Sequence, residues 1–199
     1  MNSAINSSNI DLAKLDTFMA RQEILAVLAR HSRGVDRADR EILQSCYHAD
    51  AIEEHGPNFN GPAMEYIEGA IERLKLMGPM AHYLCSSHVE LDGDTAWVET
   101  YVLTFARFAA PVSLSSGAVG TEDDTNGQDA TMDTLTGARS CDKFERRDGE
   151  WRIAHRKISF DWNRDMPSNE GWCAGMFNTA DPNFHWARKD KDDLSYQRF

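Results

Sequence analysis

The stretch HYLCSSHVELDGDTAWVETYVLTFARF, residues 82–108, decides the fold. Apolar and polar residues alternate on both sides of Asp92-Gly93, and an Asp-Gly pair between alternating segments is the strongest short signal for a β-hairpin. The same pattern returns in SCDKFERR (140–147), the pair Asp148-Gly149 and EWRIAHRKISFDW (150–162). The second half of the chain is therefore predicted to form two long antiparallel hairpins.

The first half predicts helices. Between about residues 16 and 33, an apolar stripe at helical spacing consists of Ile24, Val27, Leu28 and His31, so His31 is expected to point inward. Gly34 is expected to end this helix, and Asp36 and Asp39 can each cap a short second helix. A short strand in residues 50–60 precedes a third helix, which Gly61-Pro62 opens and Gly78-Pro79 ends.

The register of the first hairpin predicts which side chains share a face. If Asp92-Gly93 is a two-residue loop, Leu91 lies opposite Asp94 and His82 lies opposite Leu103. His82 then shares a face with Trp97, Tyr101, Phe105 and Arg107. This mixture is typical of a pocket for an apolar ligand with a few polar groups. The alternative is a face that packs against a helix or another subunit.

The second hairpin, read in the same way, places Asp142 opposite His155. Such a pair is either a catalytic dyad or a structural pair that contributes a fraction of a kcal/mol at the surface.

Composition excludes several classes of function. The 21 basic and 32 acidic residues give a net charge of −11, which argues against nucleic acid or an anionic membrane as the main partner. No apolar run approaches the roughly 18 residues that span a bilayer, and the start lacks a signal-peptide pattern. The four cysteines are widely spaced and read as reduced thiols without a zinc site, so a cytoplasmic protein is expected.

The chain is predicted to hold one domain, residues 13–162, after a loose N-terminal arm at 1–12. Residues 111–135 carry five acidic residues and no Lys or Arg, which indicates a solvated loop or lid. Residues 163–199 are rich in aromatic side chains and are expected to pack on the core or on a neighbouring subunit.

Four segments together resemble the SnoaL-like branch of the nuclear transport factor 2-like superfamily. They are ILAVLARHSRGVDRADREIL (24–43), HADAIEEHGPNFNGP (48–62), AHYLCSSHVELDGDTAWVETY (81–101) and CDKFERRDGEWRIAHRKISFDW (141–162). The resemblance implies an α+β cone, in which a curved, mostly antiparallel sheet wraps around helices and encloses an apolar cavity. It also implies no cofactor and a homotrimer, as in the lyases of this family.

In those lyases an Asp after the first helix and a His on the first long strand form an acid/base dyad, and these positions match Asp36 and His82. A carboxylate on one ring nitrogen fixes the tautomer of a His, which leaves the other nitrogen free to move a proton. The alternatives are Asp36 as a helix cap and His82 as a buried strand residue. Where the family often has a Tyr, this chain has His31, so either His31 or Tyr101 is expected to act as the second polar group.

Four weaker candidates complete the predicted site as substrate-binding residues: His55, Trp97, Phe105 and Arg107. The resemblance predicts a cofactor-free lyase that eliminates water or formaldehyde from a hydroxylated aromatic or polycyclic substrate. Bacterial diarylpropane lyases, which act on lignin-derived diols, are similar in this respect. The alternatives are a non-catalytic binding protein of the same fold and the small subunit of a ring-hydroxylating dioxygenase.

Overall fold

The computed structural model describes residues 11–108 and 131–197. Most of the predicted N-terminal arm (1–12) and most of the predicted acidic loop therefore lie outside the described residues; Asp11 and Leu12 of that arm belong to the start of the first helix. The part of that loop from Met132 onward belongs to a strand.

Three helices precede the long hairpins: α1 (Leu12–Asp36), α2 (Arg40–Gln44) and α3 (Ala63–Leu76). Gly34 does not end α1; a Cβ at this position would lie 2.9 Å from Leu43 Cγ, so the glycine lets α2 pack closely against α1. Asp39 is the cap of α2, because its Oδ1 accepts a hydrogen bond from the Ile42 amide at 3.2 Å. The carboxylate of Asp36 is therefore free for another partner.

Six strands form one sheet: β1 (Tyr47–Glu54), β2 (Asn60–Pro62), β3 (Met80–Asp92), β4 (Thr95–Phe108), β5 (Met132–Arg147) and β6 (Glu150–Pro167). Their spatial order is β2-β1-β6-β5-β4-β3. All neighbours are antiparallel except β1 and β6, which are parallel. The predicted α+β class and both long hairpins are confirmed.

The predicted register of the first hairpin is wrong. Asp92 pairs with Thr95, so the turn residues are Gly93 and Asp94. Farther along, Cys85 and Ser86 both lie opposite Tyr101, which is a β-bulge, and His82 consequently pairs with Thr104 instead of Leu103. Because a shift of one residue exchanges the two faces of a strand, His82 and Tyr101 lie on opposite faces.

The second hairpin turns at Asp148-Gly149 as predicted, with Arg147 paired to Glu150. A bulge at Ala154 then shifts the pairing, so Asp142 lies opposite Arg156. The predicted Asp142–His155 pair is therefore wrong. His155 instead contacts Glu54 on β1, with 2.7 Å between Nε2 and Oε1.

The sheet has an inner face, which packs on the helices, and an outer face. At the end near the hairpin turns the inner face is filled by α1, α3 and the sheet residues Val89, Val98, Phe144 and Ile153. Toward the other end, inner-face residues remain partly exposed; among them are Leu84, Val102, Thr104 and Ile158. The described residues therefore leave this part of the inner face uncovered, beside the end of α1, and we call this uncovered part the hollow.

After β6 the chain forms a turn at Trp172–Gly175 and a 3₁₀ turn at Leu194–Tyr196. The rings of Trp172, Phe184 and Trp186 pack edge to face with centroids 5.0 to 5.2 Å apart. Among the described helices, none is long and apolar enough to cross a membrane.

Candidate active site

Asp36 and His82 form a close pair beside the hollow. Nδ1 of His82 lies 2.7 Å from Oδ1 of Asp36, and the His82 backbone N–H donates to Oδ2 at 3.1 Å. Both carboxylate oxygens are thus engaged by one residue on β3. Because a carboxylate accepts the Nδ1 proton, the tautomer leaves a lone pair on Nε2, for which the described residues provide no hydrogen-bond partner. This is the geometry of a positioned general base.

His31 lies on α1, five residues before Asp36. Its Nε2 accepts a hydrogen bond from Arg156 Nη1 at 2.8 Å and lies 3.0 Å from the Tyr47 hydroxyl. Since an Arg only donates, the ring proton of His31 is on Nδ1. Burial lowers the pKa of His31 well below its usual value, and the charges of Arg156, His82 and His55 lower it further. His31 is therefore a neutral hydrogen-bond donor.

A buried ion pair holds Arg156 behind His31. Its Nε and Nη2 donate to the two oxygens of Asp142, both at 2.7 Å. Burial disfavours the charged form of Arg156, but the Asp142 carboxylate outweighs this and keeps the pKa of the guanidinium above its usual value. The third nitrogen is free to orient His31 because the bidentate pair fixes the plane of the guanidinium.

A further polar chain runs from His31 to His55. Tyr47 donates its hydroxyl to Glu53 Oε2 at 3.0 Å, and Oε1 of the same carboxylate lies 3.2 Å from His55 Nδ1. Tyr66 stacks on the His55 ring, with centroids 5.1 Å apart. The Glu53 side chain is only 1% exposed, and its two buried carboxylate oxygens have Tyr47 and His55 as hydrogen-bond partners. Phe160 contacts the other side of His55 at a centroid distance of 5.7 Å.

The structure thus brings Asp36, His82, His31 and His55 to the inner side, and does not bring the other predicted site residues there. Tyr101 and Trp97 lie on the outer face and are 48% and 49% exposed. Trp97 lines a groove of about 440 Å³ on that face. Phe105 is an even number of residues from both Trp97 and Tyr101 on β4 and therefore also belongs to the outer face.

Arg107 is also on the outer face, where its guanidinium is occupied by carboxylates. It donates to Asp133 at 2.7 and 2.8 Å and to Glu170 at 2.5 Å. Because two carboxylates occupy the guanidinium, Arg107 is not free to bind a polar group of a substrate.

Sequence reasoning missed Arg156, Tyr47, Glu53 and Tyr66. A signal for Arg156 was present in β6, where the apolar positions change from odd (Trp151, Ile153) to even (Ile158, Phe160). Such a change of phase indicates an extra residue in a strand. For Tyr47 and Glu53 no comparable signal exists, because their contacts depend on how β1 packs beside β6.

In the described part of the chain, no group of three or more His, Cys, Asp or Glu side chains is placed to hold a metal ion.

A mostly antiparallel sheet packed on helices defines an α+β protein whose fold is of the nuclear transport factor 2-like kind. The sequence profile described as SnoaL-like domain matches residues 16–157, and the chain belongs to this family. A search of curated proteins returns no match.

Solved structures with the same fold include three informative ones. A protein described as a putative scytalone dehydratase from Novosphingobium aromaticivorans is 15% identical, with a TM-score of 0.60 over 77% of this chain and 91% of its own. A hexachlorocyclohexane dehydrochlorinase, LinA-type3, from Novosphingobium barchaimii is 18% identical, with a TM-score of 0.60 over 77% and 94%. A nuclear transport factor 2-like protein from Salmonella enterica is 18% identical, with a TM-score of 0.55 over 72% and 92%. At these identities the likeness shows the fold, which is one that lyases use.

Proposed function

We propose that the protein is a cofactor-free lyase in which His82, oriented by Asp36, moves the proton. The observation that carries this proposal is the 2.7 Å contact between His82 Nδ1 and Asp36 Oδ1, together with an Nε2 that has no partner among the described residues. A well-placed general base of this kind accelerates proton transfer by about 10² to 10⁴. The dehydratase and dehydrochlorinase named among the structural neighbours support elimination as the reaction type.

The wall of the hollow supports the proposed class of substrate. The partly exposed inner residues Leu84, Val102, Ile158 and Phe160 offer apolar surface, while His31 and His55 offer single polar contacts. A hydroxylated aromatic or polycyclic compound matches this arrangement. We propose that His31 donates a hydrogen bond from Nδ1–H to the departing oxygen. We also propose that His55 binds a second polar group of the substrate.

Two eliminations fit these groups. In dehydration, His82 takes a proton from carbon, the C–H electron pair forms the new double bond, and the C–O bond breaks. In deformylation of a 1,3-diol, His82 takes the proton of the primary hydroxyl, the C–C bond breaks to release formaldehyde, and its electron pair forms the double bond as the second hydroxyl leaves. In both cases His82 returns its proton to the leaving oxygen, so each cycle is neutral and requires no external acid.

The specific proposal is a lignin-derived diarylpropane diol as substrate, supported by the aromatic and apolar inner wall. It is tested by incubating the protein with diaryl-1,3-diols and with hydroxylated polycyclic compounds while absorbance and formaldehyde are followed. We expect new conjugation, and formaldehyde with the diols, that His82→Ala abolishes. His88→Ala is the matched control, because His88 is exposed and the only hydrogen bond of its side chain among the described residues is with Glu90.

The alternatives have distinct outcomes in the same assay. Binding without turnover over the whole set would favour a non-catalytic binding protein, and turnover unaffected by His82→Ala would refute the role of the pair. A protein that is unstable until mixed with an iron-bearing partner subunit would favour a dioxygenase small subunit.

We further propose a homotrimer in the cytoplasm. Exposed aromatic rings on the outer face, Tyr83, Trp97 and Tyr101, support a contact surface between copies. Four free cysteines support a reducing compartment. Light scattering coupled to size-exclusion chromatography tests the trimer; a monomer of 22.4 kDa would contradict it.

A further inference from the structure

The C-terminal segment from Trp186 to Gln197, which we call the strap, lies across the ends of α1, α2 and α3. Lys189 Nζ donates to the Leu74 carbonyl at the end of α3 at 2.9 Å. Arg33 Nη2 donates to the Ser195 carbonyl at 3.1 Å, and the Arg33 guanidinium lies 4.6 Å from the centre of the Tyr196 ring. The strap therefore joins elements that are far apart in the sequence.

Asp193 is the centre of this attachment. Its Oδ1 accepts from the Ser195 amide at 2.9 Å and lies 3.0 Å from Arg37 Nε, while Oδ2 accepts from the Arg188 amide at 2.8 Å. Burial opposes its ionisation, but the bonds from Ser195 and Arg188 outweigh this and lower the pKa of Asp193 to about 2. One buried carboxylate thus folds the strap and ties it to α1.

A second attachment uses Asp39, the cap of α2. Its Oδ2 accepts from both the Tyr196 hydroxyl and Lys191 Nζ at 2.5 Å. The Lys191 ammonium also lies 4.7 Å from the centre of the Tyr196 ring. These contacts hold the link between α1 and α2.

The attachment points surround Asp36 in the sequence. Arg33 precedes it on α1, Arg37 follows it directly after the helix, and Asp39 comes three residues after Asp36. Lys189 lines a crevice of about 200 Å³ together with Asp36, and burial lowers the pKa of Lys189 to about 8 although the Asp36 carboxylate acts in the opposite direction. The strap therefore contacts residues before and after Asp36 at this helix end.

This position matters because Asp36 is the last residue of α1, and helix ends fray unless other groups hold them. A catalytic pair must be held within about 0.5 Å of its working geometry, and a displacement of 1 Å can lower a rate about 10²-fold. Among the described residues, the only hydrogen bonds that join the final turn of α1 to β3 are the two between Asp36 and His82.

We propose that the strap is a positioning element for the Asp36–His82 pair, and that Asp193 is its key positioning residue. It acts through Arg37, which is adjacent to Asp36, and has no contact with His82. The kinetic part of this inference rests on the proposed lyase function, whereas the geometric part does not.

The test compares Asp193→Asn with Asp192→Asn. The Asp192 side chain is 80% exposed, and among the described residues it forms an ion pair only with Arg188. In protein labelled with ¹⁵N-histidine, the ring nitrogen shifts of His82, assigned by their loss in His82→Ala, report its tautomer. We expect Asp192→Asn to match the wild type and Asp193→Asn to lose the single Nδ1–H form. With a diol that is turned over, kcat should fall about tenfold to a hundredfold in Asp193→Asn while KM changes little.

A second variant covers the case in which Asp193→Asn does not fold. Tyr196→Phe removes only the hydroxyl bonded to Asp39, and a smaller change of the His82 shifts in the same direction is expected, with unchanged circular dichroism. Unchanged His82 shifts in the folded variants would overturn the positioning role. A wild-type protein with the expected tautomer but no turnover would refute the proposed function and leave the geometric inference standing.

Discussion

The two faces of the sheet carry similar residues and differ in what surrounds them. The inner face has His82, Arg156 and Asp142, and the outer face has Tyr101, Arg139 and Glu99. On the inner side each charge has a fixed partner, as in the bidentate Arg156–Asp142 pair. On the outer side Arg139 shares its guanidinium between Glu99 and Asp161, and all three side chains remain about one third exposed. Residue types alone therefore do not define a site; burial and fixed partners do.

The largest difference is expected for the two arginines. Arg156→Met leaves the Asp142 carboxylate buried without its partner and should lower the free energy of unfolding by about 3–5 kcal/mol. Arg139→Met removes an exposed network and should cost at most about 1 kcal/mol. Urea unfolding of both variants measures this. Equal costs would mean that the inner and outer pairs are energetically alike.

A somewhat smaller difference is expected for activity. His31→Leu removes the donor beside the hollow, and loss of one such donor lowers kcat by about 10² to 10³. Tyr101→Phe, on the outer face, should leave kcat unchanged. Steady-state kinetics with a substrate found by the diol assay compares the two variants. A drop in Tyr101→Phe without one in His31→Leu would restore Tyr101 as the second polar group.

The smallest expected effect is a pH dependence of stability. Burial and the charges of Arg156, His82 and His55 lower the pKa of His31 in the folded protein. Near pH 6.5 the unfolded chain therefore binds a proton at this residue that the folded state does not bind. The free energy of unfolding should therefore fall as the pH drops below about 6.5, by up to about 1.4 kcal/mol per pH unit for this group.

The pH effect is checked by urea unfolding between pH 7.5 and 5 in the wild type, in His31→Leu and in His88→Ala. His31→Leu should flatten the slope, and His88→Ala, on the exposed part of β3, should retain it. An identical slope in all three proteins would assign the effect to other groups.

The sequence was sufficient to predict the fold and that Asp36 and His82 lie close together. Alternation around two Asp-Gly pairs predicted the hairpins, and the resemblance pointed to Asp36 and His82, which the structure places 2.7 Å apart. The predicted pairings were wrong because both hairpins contain bulges. The position of a bulge depends on the curvature of the whole sheet, which local alternation does not reveal. The polar chain through Tyr47 and Glu53 depends on strand packing that no local pattern encodes.

The bulge at Cys85 and Ser86 also matters for how this chain is compared with others. Suppose that β3 is aligned without a gap to a strand that lacks the extra residue. On one side of the bulge, each inner-face residue would then be matched to an outer-face residue of the other strand. Deleting a single residue there, without changing any other, would turn His82 out of the hollow while Val89 and the turn stayed in place. The chemistry of this wall therefore depends on whether the number of residues between His82 and Val89 is odd or even.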